Sequence, residues 1–371
     1  MTVPAPLGGR GHDGAMDGSV TRRTALLGVA GLTLSACAGS EEPTASPSRS
    51  ASSSPSASAS GSPTPSASPS PSASATAEAL PPVERRISLP ALMREEFEGG
   101  PVRRVRRQAV TDAYERWEVT YPAGGTTVSG ILLRPLGRGP FPAVVLNHGY
   151  IEPSVYVTGQ GLAREQDYLA RAGFVVLHTD YRGHAASDPA GDLERESRLG
   201  YTRDALHAVA TLKQLPAVDP DRVAMLGRSM GGGVTLNALV AQPGAVRAAV
   251  VYASVSSAFT ENLDQFTIPN RPESAQRLAA QFGTRREAPD FYAGLSSRTY
   301  FDRVTEPVLI HHGTSDDTCP PRWSRRTDRL LRDAGADSTL RLYRGEEHAF
   351  VPQWPQSMER TVRFLRRRLR A

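Results

Sequence analysis

The sequence predicts an α/β fold built on a mostly parallel, doubly wound sheet with helices on both faces. Three observations carry that prediction. Beyond residue 83, short apolar runs rich in Val and Leu alternate with helical stretches. Most runs are continuous and bounded by Gly or Pro, as suits strands buried on both faces. The stretches between them are long enough for helical, right-handed crossovers.

In chain order, residues 117–121 and 126–133 alternate with period two on either side of a Pro-Gly turn and read as a hairpin. The buried runs follow at 143–146, 174–178, 223–226, 246–252, 307–311 and 339–343, for a sheet of about eight strands. Helices are expected over 161–172, 199–215, 230–241, 321–334 and 352–369. Residues 254–301 are too many for a simple loop and are expected to form a small helical, cap-like insertion over the sheet. Together, 83–371 make one domain.

Residues 1–82 are set apart by composition. Thr21-Arg22-Arg23-Thr24 leads into an uncharged apolar stretch over 25–36 that ends in Leu34-Ser35-Ala36-Cys37. A basic n-region, a short h-region and small residues before the cut describe a secretory signal over 1–37. The arginine pair fits a twin-arginine variant, although Ala25 stands where a large apolar residue is usual. Met16 is an alternative start nearer that pair. The last four residues resemble a bacterial lipobox, which makes Cys37 the expected lipidated residue; the plainer alternative is a signal peptide with an incidental cysteine. Residues 38–82 are almost wholly Ser, Ala, Pro and Thr, and are expected to form a disordered, solvated tether. The expectation is therefore an exported protein at the outer face of a bacterial cytoplasmic membrane, touching that membrane only through a lipid on Cys37.

Charge and composition exclude several functions. No apolar run approaches the ~20 residues of a spanning helix, which excludes a multi-span membrane protein. The chain has one lysine, Lys213, without a glycine loop before it, so there is no Walker A phosphate site. Cys37 and Cys319 are the only cysteines and cannot form a thiolate zinc cage. Residues 83–371 carry 39 basic against 33 acidic residues, with six arginines clustered over 360–370. Lacking interleaved aromatics or a binding motif, that cluster reads as a solvated helix face, and no nucleic-acid partner is expected.

The chemistry lies after the apolar runs, because ligands of open α/β sheets bind beyond the carboxyl ends of the strands. Gly227-Arg228-Ser229-Met230-Gly231 is G-x-S-x-G between a strand and a helix, where glycines permit the sharp turn that exposes a nucleophilic serine. A serine hydroxyl needs a base, itself oriented by a carboxylate. In the order serine, acid, histidine, the base follows Ser229, leaving His311, His312 and His348. His311 and His312 end a strand ahead of any plausible acid, so His348, in the loop after the last strand, is the expected base. Asp316 is the expected acid; its neighbour Asp317 is expected to point away and cap the loop or the next helix. Donors to the oxyanion are expected from the backbone N–H of Met230 and from Tyr150 after the third strand, through its N–H or its phenol. Arg182 is expected to brace loops, and Cys319 to be a small loop hydrophobe. His311 and His312 with the two aspartates could hold a metal, but the triad already uses that loop; no metal and no cofactor are expected.

His148-Gly149-Tyr150, Asp180-Tyr181-Arg182-Gly183-His184, the Ser229 pentapeptide, the Asp316 loop and His348 together resemble the α/β-hydrolase superfamily. In detail they resemble the catalytic domain of the prolyl oligopeptidase family and its secreted esterase relatives, over about residues 115 to 370. The resemblance implies Ser229, Asp316 and His348 as a triad, and the Tyr150 phenol as oxyanion donor. The peptidases of that family carry a large β-propeller ahead of this domain, whereas only residues 83–116 precede the first predicted strand here. The expected function is therefore hydrolysis of small esters, with amides as a further substrate class. The alternatives are a peptidase acting on short peptides and an inactive surface-tethered binding protein.

Overall fold

The computed structural model describes residues 79–370. The expected signal segment, Cys37 and nearly all of the tether lie outside the described residues. The tether's expected end at 82 falls late: Leu80 packs on the core and its carbonyl accepts from Arg94 at 3.2 Å. An apolar side chain beside two prolines gives this end of the segment something to bury.

The sheet has nine strands in the order β1-β2-β3-β5-β4-β6-β7-β8-β9. They are β1 (Arg103–Val110), β2 (Tyr114–Ala123), β3 (Thr126–Pro135), β4 (Phe141–Asn147), β5 (Val175–Thr179), β6 (Val218–Arg228), β7 (Ala249–Tyr252), β8 (Val308–Gly313) and β9 (Ser338–Tyr343). The first three form an antiparallel meander whose last strand pairs antiparallel with β5, and β4 to β9 run parallel to one another.

Pleating sorts the parallel strands onto two cores. Val145, Leu177, Met225 and Val251 face the helices Leu199–Lys213 and Met230–Ala241. Their neighbours Val144, Val176, Ala224 and Val250 face Ala163–Arg171 and Trp354–Arg368. Layers on both faces leave only the strand ends open to ligands, with the loops after β4, β6, β8 and β9 at one end.

β1 is the strand that periodicity misses. All of its residues but Ala109 are exposed, including Arg103, Arg104, Arg106 and Arg107, so no apolar alternation marks it. It holds to β2 through backbone pairing, an Arg106–Glu118 ion pair and the stacking of Arg104 and Arg107 on Trp117. Residues 254–301 carry short helices joined by turns, namely Phe259–Asn262, a π-turn at Leu263–Thr267, Ile268–Asn270, Pro272–Phe282, Pro289–Ala293 and the start of Ser297–Arg303. Phe259, Leu263, Phe291 and Tyr292 anchor them in the core on the Met230–Ala241 side.

Candidate active site

β6 ends at Arg228 and the chain turns at Ser229 into the helix Met230–Ala241. Ser229 has φ 55° and ψ −120°, a conformation costing a side-chain-bearing residue on the order of 1–3 kcal/mol. The surroundings impose it. The Ser229 N–H donates to the Tyr252 carbonyl at 2.9 Å, and its carbonyl accepts from Gly232 at 2.9 Å and Val255 at 3.2 Å. A Cβ at Gly227 would strike the Gly231 carbonyl, and one at Gly231 the Asn147 carbonyl. The glycines therefore let β4, β6 and the helix close on one point and lift the serine above them.

The Met230 N–H opens that helix, and the Tyr150 N–H leaves the loop after β4. Neither donates to any group among the described residues, so both remain available to an oxygen in the cavity. The phenol is a different matter. Tyr150 Oη donates to Glu152 Oε2 at 2.6 Å, with Arg271 over the ring at 5.2 Å. Its single proton is thus engaged away from Ser229, and the backbone N–H is the free donor of this residue.

Asp316 follows β8 and is 5% exposed. Its Oδ1 accepts from the N–H groups of Cys319 at 2.8 Å and Thr318 at 3.0 Å. Its Oδ2 lies 2.8 Å from His348 Nδ1 and 3.2 Å from His312 Nε2. Burial alone would raise this carboxyl, but the bonds from His312, His348 and the Cys319 N–H hold it well below the usual carboxylate range. Asp317 is exposed and caps no helix; it takes only the Thr318 hydroxyl, at 3.2 Å.

His348 is held by its loop. The buried Glu346 carboxylate accepts from the N–H groups of Val351 and, at 2.8 Å, Gln353. Arg164 donates to the Phe350 carbonyl at 3.0 Å and the Ala349 carbonyl at 2.9 Å. The Ser315 N–H donates to the Glu346 carbonyl at 3.0 Å, tying this loop to that of Asp316. The approach is so close that a Cβ on Gly313 would collide with Glu346.

With Nδ1 on the carboxylate, the Nε2 of His348 is the nitrogen left for proton transfer. No hydrogen bond joins it to Ser229 in this structure; the Ser229 hydroxyl contacts the buried Cys319 thiol, which burial pushes up to about 12. Both residues nevertheless line one cavity of about 580 Å³ with Tyr150 and Met230. Such bonds are often long without substrate and tighten when it binds. A cleft below the amino ends of β6 to β8 contains none of these groups.

Sequence reasoning passes over several of the groups found here. His312 ends its strand ahead of the acid, yet its Nε2 lies 2.8 Å from the Cys319 carbonyl and 3.2 Å from Asp316 Oδ2, with its other nitrogen 2.6 Å from Ser324 Oγ. Cys319 is buried as expected of a hydrophobe, and also touches Ser229. Arg195, Glu196, Arg198 and Arg271 line the cavity from segments that carry no motif. Arg182 bonds Asp204 at 2.8 Å and Glu194 at 3.0 Å, bracing the loop after β5.

Residues 161–371 match the Prolyl oligopeptidase family. The "Uncharacterized peptidase YtmA" of Bacillus subtilis is 26% identical over 242 residues, covering 64% of this chain and 87% of that protein. Among solved structures, a putative dipeptidyl aminopeptidase IV from Bacteroides ovatus aligns with TM-score 0.56 and 22% identity, covering 69% of this chain but 36% of that one. The acetyl xylan esterase from Paenibacillus sp. R4 aligns with TM-score 0.58 and 19% identity, over 74% of this chain and 92% of the esterase. The chain thus spans about a third of the dipeptidyl aminopeptidase and most of the other two. With the family match covering more than half of its length, this chain is a serine hydrolase belonging to the prolyl oligopeptidase family.

Proposed function

We propose that Ser229, His348 and Asp316 form the triad of an esterase that passes through an acyl-enzyme. The observation that carries this reading is the strained Ser229 opening on the same cavity as an imidazole bonded at 2.8 Å to a buried carboxylate. His348 takes the hydroxyl proton as Ser229 attacks the carbonyl, then returns it to the leaving group; water repeats the cycle and releases the acid. Asp316 holds the ring in its productive tautomer and stabilises the imidazolium. The N–H groups of Met230 and Tyr150 receive the developing oxyanion.

Esters are favoured over peptides by the cavity's charge. Three arginines and two glutamates line it, an excess of positive charge that opposes the free ammonium of a peptide amino terminus. The peptidase reading draws its support from the family itself and from relatives named as peptidases. Kinetics on p-nitrophenyl acyl esters and aminoacyl-anilides decide between them: the esters are expected to turn over faster, and faster anilides would overturn the choice. A fluorophosphonate probe is expected to label the protein and to fail on Ser229→Ala. Absence of labelling in the wild type would leave an inactive binding protein.

Export with lipidation at Cys37 belongs to the same proposal and rests on the Leu34-Ser35-Ala36-Cys37 run. Metabolic labelling with an alkynyl fatty acid is expected to mark the protein and to be lost in Cys37→Ser.

A further inference from the structure

Among the described residues, one cation of the cavity forms no ion pair. Glu196 is bonded by Arg271 at 2.9 and 3.2 Å, with Arg195 a further 3.7 Å away. Glu152 accepts from the Tyr150 phenol. Arg198, by contrast, makes no side-chain hydrogen bond and no ion pair among the described residues, although it lines the same cavity as Ser229. It lies against the first turn of the helix that Ser229 begins: its Nη1 is 3.8 Å from where a Cβ of Gly233 would stand. Burial pulls the guanidinium down to about 10, although Cys319 and Glu196 nearby act in the other direction.

Its backbone adds a second, independent observation. Arg198 joins the helices Asp192–Ser197 and Leu199–Lys213 in the left-handed conformation, at φ 63°. Such a junction favours Gly or Asn, and other residues are strained there. At a position that favours glycine, the chain carries an arginine that lines the cavity. Strain of this kind is worth keeping where the side chain has a task.

We propose that Arg198 is a specificity residue that receives a carboxylate on the acyl part of the substrate, so that the preferred substrates are half-esters of short dicarboxylic acids. Ser229 and Gly233 are separated by about one helical turn, about 5.4 Å. A succinyl or glutaryl group attached at Ser229 spans that distance. The leaving group faces the other way, because it must take its proton from His348. A planar guanidinium binds a carboxylate through two parallel bonds, which fixes the acyl chain's direction as well as its charge. This inference rests on Ser229 being the nucleophile.

The test compares p-nitrophenyl hemiglutarate with p-nitrophenyl valerate, which are close in size and differ in charge. In the wild type the ratio of their kcat/KM values is expected to favour hemiglutarate by about 10–100-fold at low salt, as a charge-assisted pair supplies. Arg198→Gln is expected to abolish that preference and Arg198→Lys to keep part of it, with fluorophosphonate labelling of each variant showing that the site is assembled. Equal wild-type turnover of both esters would overturn the inference while leaving the esterase reading intact. Thermal-shift titration with free glutarate against valerate tests the same contact without turnover. Selective stabilisation by glutarate, lost in Arg198→Gln, supports the site, and equal response to both acids overturns it even if the nucleophile has been misassigned.

Discussion

Two strand ends of this sheet carry the same residue types and put them to opposite uses. After β5, Asp180 lies among His148, His178 and His184; after β8, Asp316 lies between His312 and His348. Asp180 accepts only from neutral donors, the Ser129 hydroxyl at 2.7 Å, the Tyr156 phenol at 2.8 Å and the Gly159 N–H at 2.8 Å. Burial wins there, and its carboxyl is raised. Asp316 faces two imidazoles and is lowered. The histidines diverge likewise: His148 stacks between Tyr156 and Tyr181 with ring centroids at 4.7 and 4.5 Å, and neither ring nitrogen of buried His178 has a partner. His348 is 24% exposed and opens on the cavity. Acid and imidazole side by side therefore do not define a reactive site; solvent access and the charge of the neighbours do.

The largest expected effect separates the two carboxylates. If Asp316 is the orienting acid proposed above, Asp316→Asn should lower kcat on a p-nitrophenyl ester by about 10³–10⁴-fold with little change in melting temperature, as loss of that acid does in a serine-histidine-aspartate triad. Asp180→Asn should act mainly on stability. Comparable losses of turnover in both variants would erase the distinction. His312 sharpens it further: His312→Ala removes one partner of Asp316 and should cost about 10–100-fold in kcat, as a buried charge loses a bond. KM should move much less, and His312→Gln should recover part of the rate. A loss confined to melting temperature would make His312 purely structural.

Acid should act on the sealed cluster. Burial holds His148 down to about 3 and His178 well below its ordinary value, so both stay neutral in the fold. The unfolded chain binds their protons below about 6.5. Stability is then complete above that pH and drains as the pH falls toward the folded values, by up to about 1.4 kcal/mol per pH unit for each histidine. Urea midpoints at pH 7, 6 and 5 measure this slope, and His178→Phe should flatten it. The smallest effect concerns Cys319, whose buried thiol at about 12 should resist iodoacetamide at pH 8 in the native protein and react on unfolding. Mass mapping of that peptide checks it, and rapid native alkylation would show an open loop.

Much of this architecture is legible in the chain because burial on both faces leaves a coarse mark: Ala143 to Leu146 and Val223 to Leu226 can hardly be anything but strands. The turn at Ser229 is legible because close backbone approaches demand glycines at 227 and 231. β1 is not, since an exposed edge strand needs no apolar side chains. Arg198 and Glu196 are silent for a related reason: a cavity wall is assembled from segments distant in sequence, and charged residues on short helices look like ordinary surface until the fold turns them inward. His312 is hidden by adjacency, as sequence alone does not tell which of two neighbouring histidines meets the acid. The bond from the Tyr150 phenol to Glu152, two residues on, carries no mark in the sequence either.

β1 has one more consequence. A free sheet margin invites a second chain to extend it, and this one is lined by four arginines, of which Arg106 and Arg107 are paired with glutamates of β2 and Arg103 and Arg104 are not. Crowded molecules of this protein should stay separate for that reason, and replacing those arginines together with threonine would remove the barrier to fibre-like stacking.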